Sequence, residues 1–186
     1  MDNRIVIDGL PFRPYITRDK IKAQVEELAG RLREDLKDSK PIFLCVLNGA
    51  FVFAADLLRA VGMNHAKIQF VKYSSYEGTK TTGKVKQLLG LNEDLEGQDV
   101  VIIEDIVDTG LTAEKMVNDI KLKNPRSVRF VTLLHKPANT RNAFKPDYVA
   151  FSIPEKFIVG YGLDLDGKAR NLEDIYVIEE EEDQHH

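Results

Sequence analysis

Apolar residues at Ile21, Val25, Leu28, Leu32 and Leu36 recur at spacings of four and three, which draws a stripe down one side of a helix. Thr17 stands where it can cap that helix, and the stretch 38–41, closing on Pro41, ends it. The next run, 42–47, is too short for a helix and apolar enough for a strand buried on both faces. Asn48-Gly49 then turns the chain. Residues 51–60 read as a second helix closed by Gly62, and 68–73 as a second strand, which completes one βαβ unit. The stretch 74–83 is polar, rich in Gly and Thr and without a stripe, so it predicts a mobile loop or hairpin arm, with 85–89 extended after it. The pattern resumes with a strand over 100–103, a helix from about 112 to 122 and a strand over 128–134, a second βαβ unit. Such alternation predicts an α/β fold, a mostly parallel twisted sheet flanked by helices, with ligands at the carboxyl ends of its strands.

Composition narrows the class. The chain has 186 residues, 43% of them hydrophobic and 30% charged, enough for one substantial core, so 1–178 is expected to be a single domain. Residues 179–186 form a separate acidic tail, expected to be a frayed, solvated and disordered end. His185 and His186, native or left from a purification tag, stay outside the site argument. A net charge of -4 supplies no bulk positive field to gather nucleic acid. The single Cys45 lies inside IFLCVL and reads as a small buried hydrophobe. No secretory signal is visible, and no apolar run approaches the roughly 20 residues that span a bilayer. A soluble cytoplasmic protein is the expectation.

The chemistry concentrates in VVIIEDIVDTGLT, residues 100–112. Backbone N–H groups of Thr109, Gly110, Leu111 and Thr112 at a helix N-terminus, with two hydroxyls, can cradle a phosphate through the helix dipole. Glu104 and Asp105, at the strand end just before that cradle, can accept from a ribose diol or hold a metal-bound water shell. Asp108 lies between the sugar and phosphate positions, where it can exchange a proton with a base attached to the sugar. An acidic loop is ordinarily solvated surface. Here a very apolar strand delivers the acids to the binding edge of the sheet and a phosphate cradle follows at once. Neither GxxxxGK[ST] nor GxGxxG is present, so nucleoside triphosphate and NAD readings have no support.

Around this segment lie VLNGAFVFAADLL (46–58), SSYEGTKTTGKVK (74–86), LLHKP (133–137) and PEKFIVGYGLDLDGKARNL (154–172). Segment 100–112 resembles the 5-phosphoribosyl-1-pyrophosphate signature of type I phosphoribosyltransferases, and over roughly 46–177 the chain is similar to the hypoxanthine-guanine phosphoribosyltransferases of that fold. The resemblance implies a small hood, formed largely by 153–175, and a mobile lid loop. It implies that Asn48 and Gly49 bind pyrophosphate, with a non-proline cis peptide at the Asn48-Gly49 bond. Many relatives carry Lys where this chain has Asn48, and from local sequence alone Asn-Gly is equally an ordinary turn. Ser75 and Tyr76 match the lid, whose closure excludes water from the reacting sugar. Lys136 is implied to donate to the exocyclic oxygen of a 6-oxopurine, Phe157 to stack on the base, and the Ile158 backbone to meet its Watson–Crick edge. Asp164 matches a carboxylate holding a second Mg²⁺, with Glu104 and Asp105 at the first metal position, and Arg170 matches a pyrophosphate contact.

The activity implied is purine salvage: transfer of the 5-phosphoribosyl group to N9 of hypoxanthine or guanine, giving IMP or GMP and pyrophosphate, with Mg²⁺ as cofactor and a homo-oligomer, dimer or tetramer, as the assembly. A xanthine/guanine-preferring relative differs only in what touches position 2 of the base. A nucleotide-sensing RNA-binding regulator on the same fold meets the hood motif and the acidic charge balance as opposing features. A bare phosphate-binding module leaves Lys136 and the hood together unexplained.

Overall fold

Thr17 opens the first helix as its position predicts, its hydroxyl accepting from the Lys20 N–H at 3.4 Å. The structure is a computed structural model describing residues 3–77 and 84–180, without the side chains of 74–77 and 84–87. In chain order the elements are β1 (Ile5–Ile7), β2 (Leu10–Ile16), α1 (Arg18–Asp35), β3 (Ile42–Val46), α2 (Phe51–Val61), β4 (Lys67–Glu77), β5 (Lys84–Leu89), β6 (Asp99–Val107), α3 (Leu111–Lys121), β7 (Ser127–His135), β8 (Tyr148–Ser152), β9 (Ile158–Val159) and β10 (Ile175–Ile178).

A six-stranded sheet in the order β5-β4-β3-β6-β7-β8 is parallel except for β5. Its central strands are buried on both faces. On β3 and β6, Phe43, Cys45, Val101 and Ile103 face α1 and α2, while Ile42, Leu44, Val100 and Ile102 face α3. That two-sided burial is why these strands read as unbroken apolar runs. It also pushes the Cys45 thiol pKa up to about 12, so this free cysteine is held as an unreactive thiol. From β3 the chain crosses through α2 to β4 on one side, and from β6 through α3 to β7 on the other. The loops leaving β3 and β6 therefore diverge and open a crevice at the carboxyl edge.

A second, antiparallel sheet in the order β1-β2-β10-β9 joins the start of the chain to its end. Sequence periodicity assigns no element to residues 5–16, because β2 carries two prolines and β1 has only three residues. The second strand of the pattern also runs further than predicted. β4 continues to Glu77 and pairs with β5 through Ser75↔Lys86 and Tyr76↔Val85, so Ser74–Glu77 forms one side of a hairpin arm. The remainder of the expected lid, 78–83, and the tail from 181 onward lie outside the described residues. Among the described residues no helix is long and apolar enough to cross a membrane.

The amino edge of the sheet is closed by a polar knot. Asp99, 7% exposed at the first position of β6, accepts from Arg126 Nε at 3.0 Å and from Nη2, and from the hydroxyls of Ser127 at 2.6 Å and Ser39. The Arg126 fork holds the Asp99 carboxyl well below the usual carboxylate range, and the two hydroxyls add to this against the opposing effect of burial. Since the folded-state pKa is the lower one, the stabilisation is complete above the unfolded value near 3.9 and is lost as pH falls through the folded value. Asp99→Asn should lower unfolding free energy at pH 7 by about 1.5–3 kcal/mol. In urea titrations the difference from the parent should shrink below about pH 3.5; a difference independent of pH would show that the carboxylate charge is not what matters.

Candidate active site

Gly110 caps α3 with φ +82° and brings no capping side chain of its own, while the Leu111 N–H at the first position of the helix donates to Thr109 Oγ1 at 3.4 Å. A helix start whose capping residue is a glycine leaves room for an anion to approach its backbone N–H groups. Glu104, Asp105, Asp108, Thr109, Gly110 and Thr112 line one cleft of about 220 Å³ around it. Leu111 does not line this cleft, and its side chain stands 53% exposed. At the base of the cleft the Asp105 N–H donates to Glu104 Oε1 at 3.0 Å and the Ile106 N–H to Asp105 Oδ1 at 2.7 Å. Burial first, then the Asp105 charge, push the Glu104 carboxyl well above the usual range. Two adjacent acids with no countercharge paired to them among the described residues form a site suited to a cation or a hydrogen-bond-donating diol.

The segment after β7 straps this loop down residue by residue. Asn139 Nδ2 donates to Asp108 Oδ1, Thr140 Oγ1 to the Asp108 carbonyl at 3.1 Å, the Arg141 N–H to the Thr109 carbonyl at 2.9 Å, and Asn142 Nδ2 to the Gly110 carbonyl at 3.1 Å. None of the four is singled out by sequence reasoning. Their only mark is a polar turn containing two asparagines beside a lysine, since the partners lie some thirty residues away. Lys136 itself is 8% exposed, one of three buried polar or charged residues among those described. Its Nζ lies 4.0 Å from Asp108 Oδ2. Lysines are almost never buried without a partner.

The loop after β3 enters from the other side. Asn48 is exposed, and Gly49 passes so close to Asp105 that a Cβ there would overlap its carboxylate. The non-proline cis bond is Leu47–Asn48, which corrects the Asn48-Gly49 position implied by the resemblance; the constraint at Gly49 is the absence of a side chain beside Asp105. Gly162, at φ +100°, packs its α-carbon against the Gly49 carbonyl. Behind it Arg170 donates to the Gly162 carbonyl at 2.7 Å and pairs with Asp164 Oδ2 at 3.2 Å. The Tyr161 hydroxyl donates to Asp56 Oδ2 on α2 at 2.5 Å. Asp164 and Arg170 thus sit together next to the Gly49 loop.

Phe157 immediately precedes β9, 45% exposed, its ring 6.2 Å from that of Phe12, while Ile158 is buried and pairs with Val177. Ser75 and Tyr76 lie on the hairpin arm, and their side chains are outside the described set. Among the described residues no three of His, Cys, Asp and Glu converge as a protein-only metal cage.

Residues 16–166 match the phosphoribosyl transferase domain family. The hypoxanthine-guanine phosphoribosyltransferase of Bacillus subtilis is 38% identical over 164 residues, covering 88% of this chain and 91% of that one. The hypoxanthine phosphoribosyltransferase of Escherichia coli K12 is 40% identical over 160 residues, 84% and 89% of the two chains. A bifunctional TilS/HprT protein of Listeria innocua is 40% identical over 167 residues, and there the match spans 89% of this chain but only 26% of that protein. Among solved structures, a hypoxanthine-guanine phosphoribosyltransferase from Bacillus anthracis superposes with TM-score 0.81 at 37% identity, covering 89% of this chain and 98% of that one. A hypoxanthine phosphoribosyltransferase from Trypanosoma cruzi gives 0.82 at 32% identity, covering 96% of each.

The two glycines that meet at the crevice should respond differently to a methyl group. Gly162→Ala sets a Cβ against a backbone carbonyl at a φ that L residues rarely adopt, and should lower Tm by roughly 3–10 °C. Gly49→Ala meets only the end of the Asp105 side chain, so it should displace that carboxylate while Tm stays within about 2 °C of the parent. Equal melting losses in the two variants would contradict this.

Proposed function

The chain belongs to the phosphoribosyl transferase domain family, and within it to the hypoxanthine-guanine phosphoribosyltransferases, and we propose that it performs purine salvage by joining a 6-oxopurine to 5-phosphoribosyl-1-pyrophosphate. One observation carries the proposal. A buried ammonium and a carboxylate, Lys136 Nζ and Asp108 Oδ2, stand 4.0 Å apart beside a phosphate cradle. A 6-oxopurine carries O6 and N7 as neighbours on one edge. Lys136 can only donate and suits O6; ionised Asp108 can only accept and suits a proton on N7.

In this reading the start of α3, Thr109 to Thr112, holds the 5′-phosphate, and Glu104 and Asp105 hold the ribose diol or its metal shell. Asn48, Gly49 and Arg170 face the pyrophosphate, with the neutral Asn48 leaving Arg170 as the cationic group of that set. Phe157 supplies a ring for the base and Ile158 a backbone edge. N9 forms its bond to C1 of the ribose as the C1–oxygen bond to pyrophosphate breaks, and Asp108 takes the proton that leaves N7. Ser75 and Tyr76, on the arm, would close over the reacting centre and exclude water. The donor set fits Mg²⁺, which is usually held by one or two carboxylates and completed by substrate phosphates and water: Glu104 with Asp105 on one side and Asp164 on the other. When bound it would neutralise the charge developing on the pyrophosphate. Residues 1–178 act in this proposal as one domain whose hood, 153–175, is completed by β1 and β2, in a cytoplasmic enzyme.

A homo-oligomer belongs to the same reading. Ile68 and Phe70, 48% and 55% exposed, lie on the α1/α2 face of β4 beyond the cover of those helices, with Leu89 of β5 at 45% beside them. Apolar surface grouped in this way marks an interface. Phe70→Glu should shift the sedimentation coefficient of the protein from oligomer towards monomer. A parent that sediments as a monomer at micromolar concentration would refute the assembly.

Lys136→Met keeps much of the stem and removes the donor. A site built for a hydrogen bond can reject an analogue lacking the partner by as much as roughly 10⁴-fold. Turnover of hypoxanthine should therefore fall by about 10²-fold or more in kcat/KM while the disadvantage of adenine narrows. A variant that keeps the parent's hypoxanthine-to-adenine ratio would remove Lys136 as the reader of position 6.

A further inference from the structure

We propose that Asn139 is a positioning residue for proton transfer: its side-chain amide fixes the Asp108 carboxylate so that Oδ2 faces Lys136 and the purine edge. The inference rests on the reading of Asp108 as the N7 proton acceptor. Asn139 Nδ2 donates to Asp108 Oδ1 and also reaches Glu155 Oε1 at 3.4 Å. Both partners are carboxylates, so the amide orientation is set by chemistry: only the NH₂ end has protons to offer two acceptors. The amide therefore stands between two like charges that would otherwise face each other across the loop.

The consequence for Asp108 is geometric. An aspartate has a broad, roughly two-fold χ2, and on a loop its two oxygens exchange places freely. Here Oδ1 is occupied by Asn139, which leaves Oδ2 as the oxygen towards Lys136 at 4.0 Å. A proton acceptor is effective only within hydrogen-bond reach of the proton that it takes. Asn139 is itself held by the 3₁₀ turn Pro137–Asn139, whose last N–H donates to the Lys136 carbonyl at 3.0 Å. One turn therefore sets both the donor for O6 and the clamp on the acceptor for N7. The cradle keeps its own supports, because Thr140, Arg141 and Asn142 bond the backbone of Asp108, Thr109 and Gly110 independently of Asn139.

Among the described residues the charged groups at the carboxylate are Lys136, within 4.0 Å, and Glu155, which shares the amide. Asn139→Leu removes the donor at similar volume. Asn139→Asp keeps the shape and sets a third acid between Asp108 and Glu155, which favours the protonated form of Asp108. Steady-state kinetics with hypoxanthine, phosphoribosyl pyrophosphate and Mg²⁺ should show Asn139→Leu lowering kcat by about tenfold to a hundredfold, with KM for phosphoribosyl pyrophosphate within about twofold of the parent. In an Asp108→Asn background the same change should cost less than about twofold, because the group through which it acts is gone. For Asn139→Asp the acidic limb of the kcat–pH profile should move to higher pH. Equal losses from Asn139→Leu in both backgrounds, or an Asn139→Asp profile that superposes on the parent's, would overturn the proposal. A parent that makes no IMP, or an Asp108→Asn enzyme as active as the parent, would instead defeat the reading beneath it.

Discussion

Three segments far apart in the chain meet at Gly49 with no room for a side chain. Asp105 from the end of β6 lies against its α-carbon, and Gly162 from the hood turn lies against its carbonyl. Because β3 and β6 are hydrogen-bonded neighbours that send their crossovers in opposite directions, their loops can approach only at this crevice. The approach sets the distance between the two acids near the end of β6 and the turn that carries Asp164 and Arg170. Pyrophosphate and ribose are parts of one molecule, so the groups proposed to hold them must keep a fixed separation. A short carboxylate packed on one side of a glycine and a backbone turn packed on the other keep it more rigidly than any pair of long side chains would.

The polar groups of the site depend on a second kind of support. Lys136 is buried, and a buried ammonium requires a partner with good geometry. That partner, Asp108, is held through its side chain by Asn139 and through its carbonyl by Thr140. Successive residues of one strap therefore restrain successive residues of one loop. Such a site loses little on binding a base that offers an acceptor and a proton on adjacent atoms. It would leave the buried Lys136 without an acceptor from a base that does not, which makes the selectivity expected of it a property of the empty pocket.

What the sequence made legible follows from where each signal originates. Strands β3 and β6 were readable because burial on both faces writes itself as unbroken apolar runs, and α1 because Thr17 and a five-residue stripe mark its start and inner face. The residues that line one cleft at the end of β6 stood out because they are contiguous, from Glu104 to Thr112. The hood sheet was not. Pro11 and Pro14 break the signature of β2, β9 has two residues, and the partner of β2 is β10, some 160 positions later. Asn139 and Asn142 were equally silent, since a turn asparagine looks the same whether it bonds to solvent or to a loop thirty residues away. The cis bond fell one residue from its expected place because local sequence fixes that a turn occurs there without fixing which peptide inverts.

The two edges of the large sheet divide the work. At the amino edge Asp99 finds a full set of donors in Arg126, Ser127 and Ser39, and its charge is entirely answered. At the carboxyl edge Glu104 and Asp105 accept from backbone N–H groups with no cation paired to them among the described residues, and Glu104 is destabilised as an anion. A fold of marginal stability can carry such an unanswered pair only where the rest of the structure over-determines the backbone around it. The small sheet adds to that determination. It pairs the first strands of the chain with the last, and Phe12 of β2 supports the ring of Phe157. The wall proposed to meet the purine therefore depends on the pairing of β2 with β10, strands that lie some 160 positions apart in the chain.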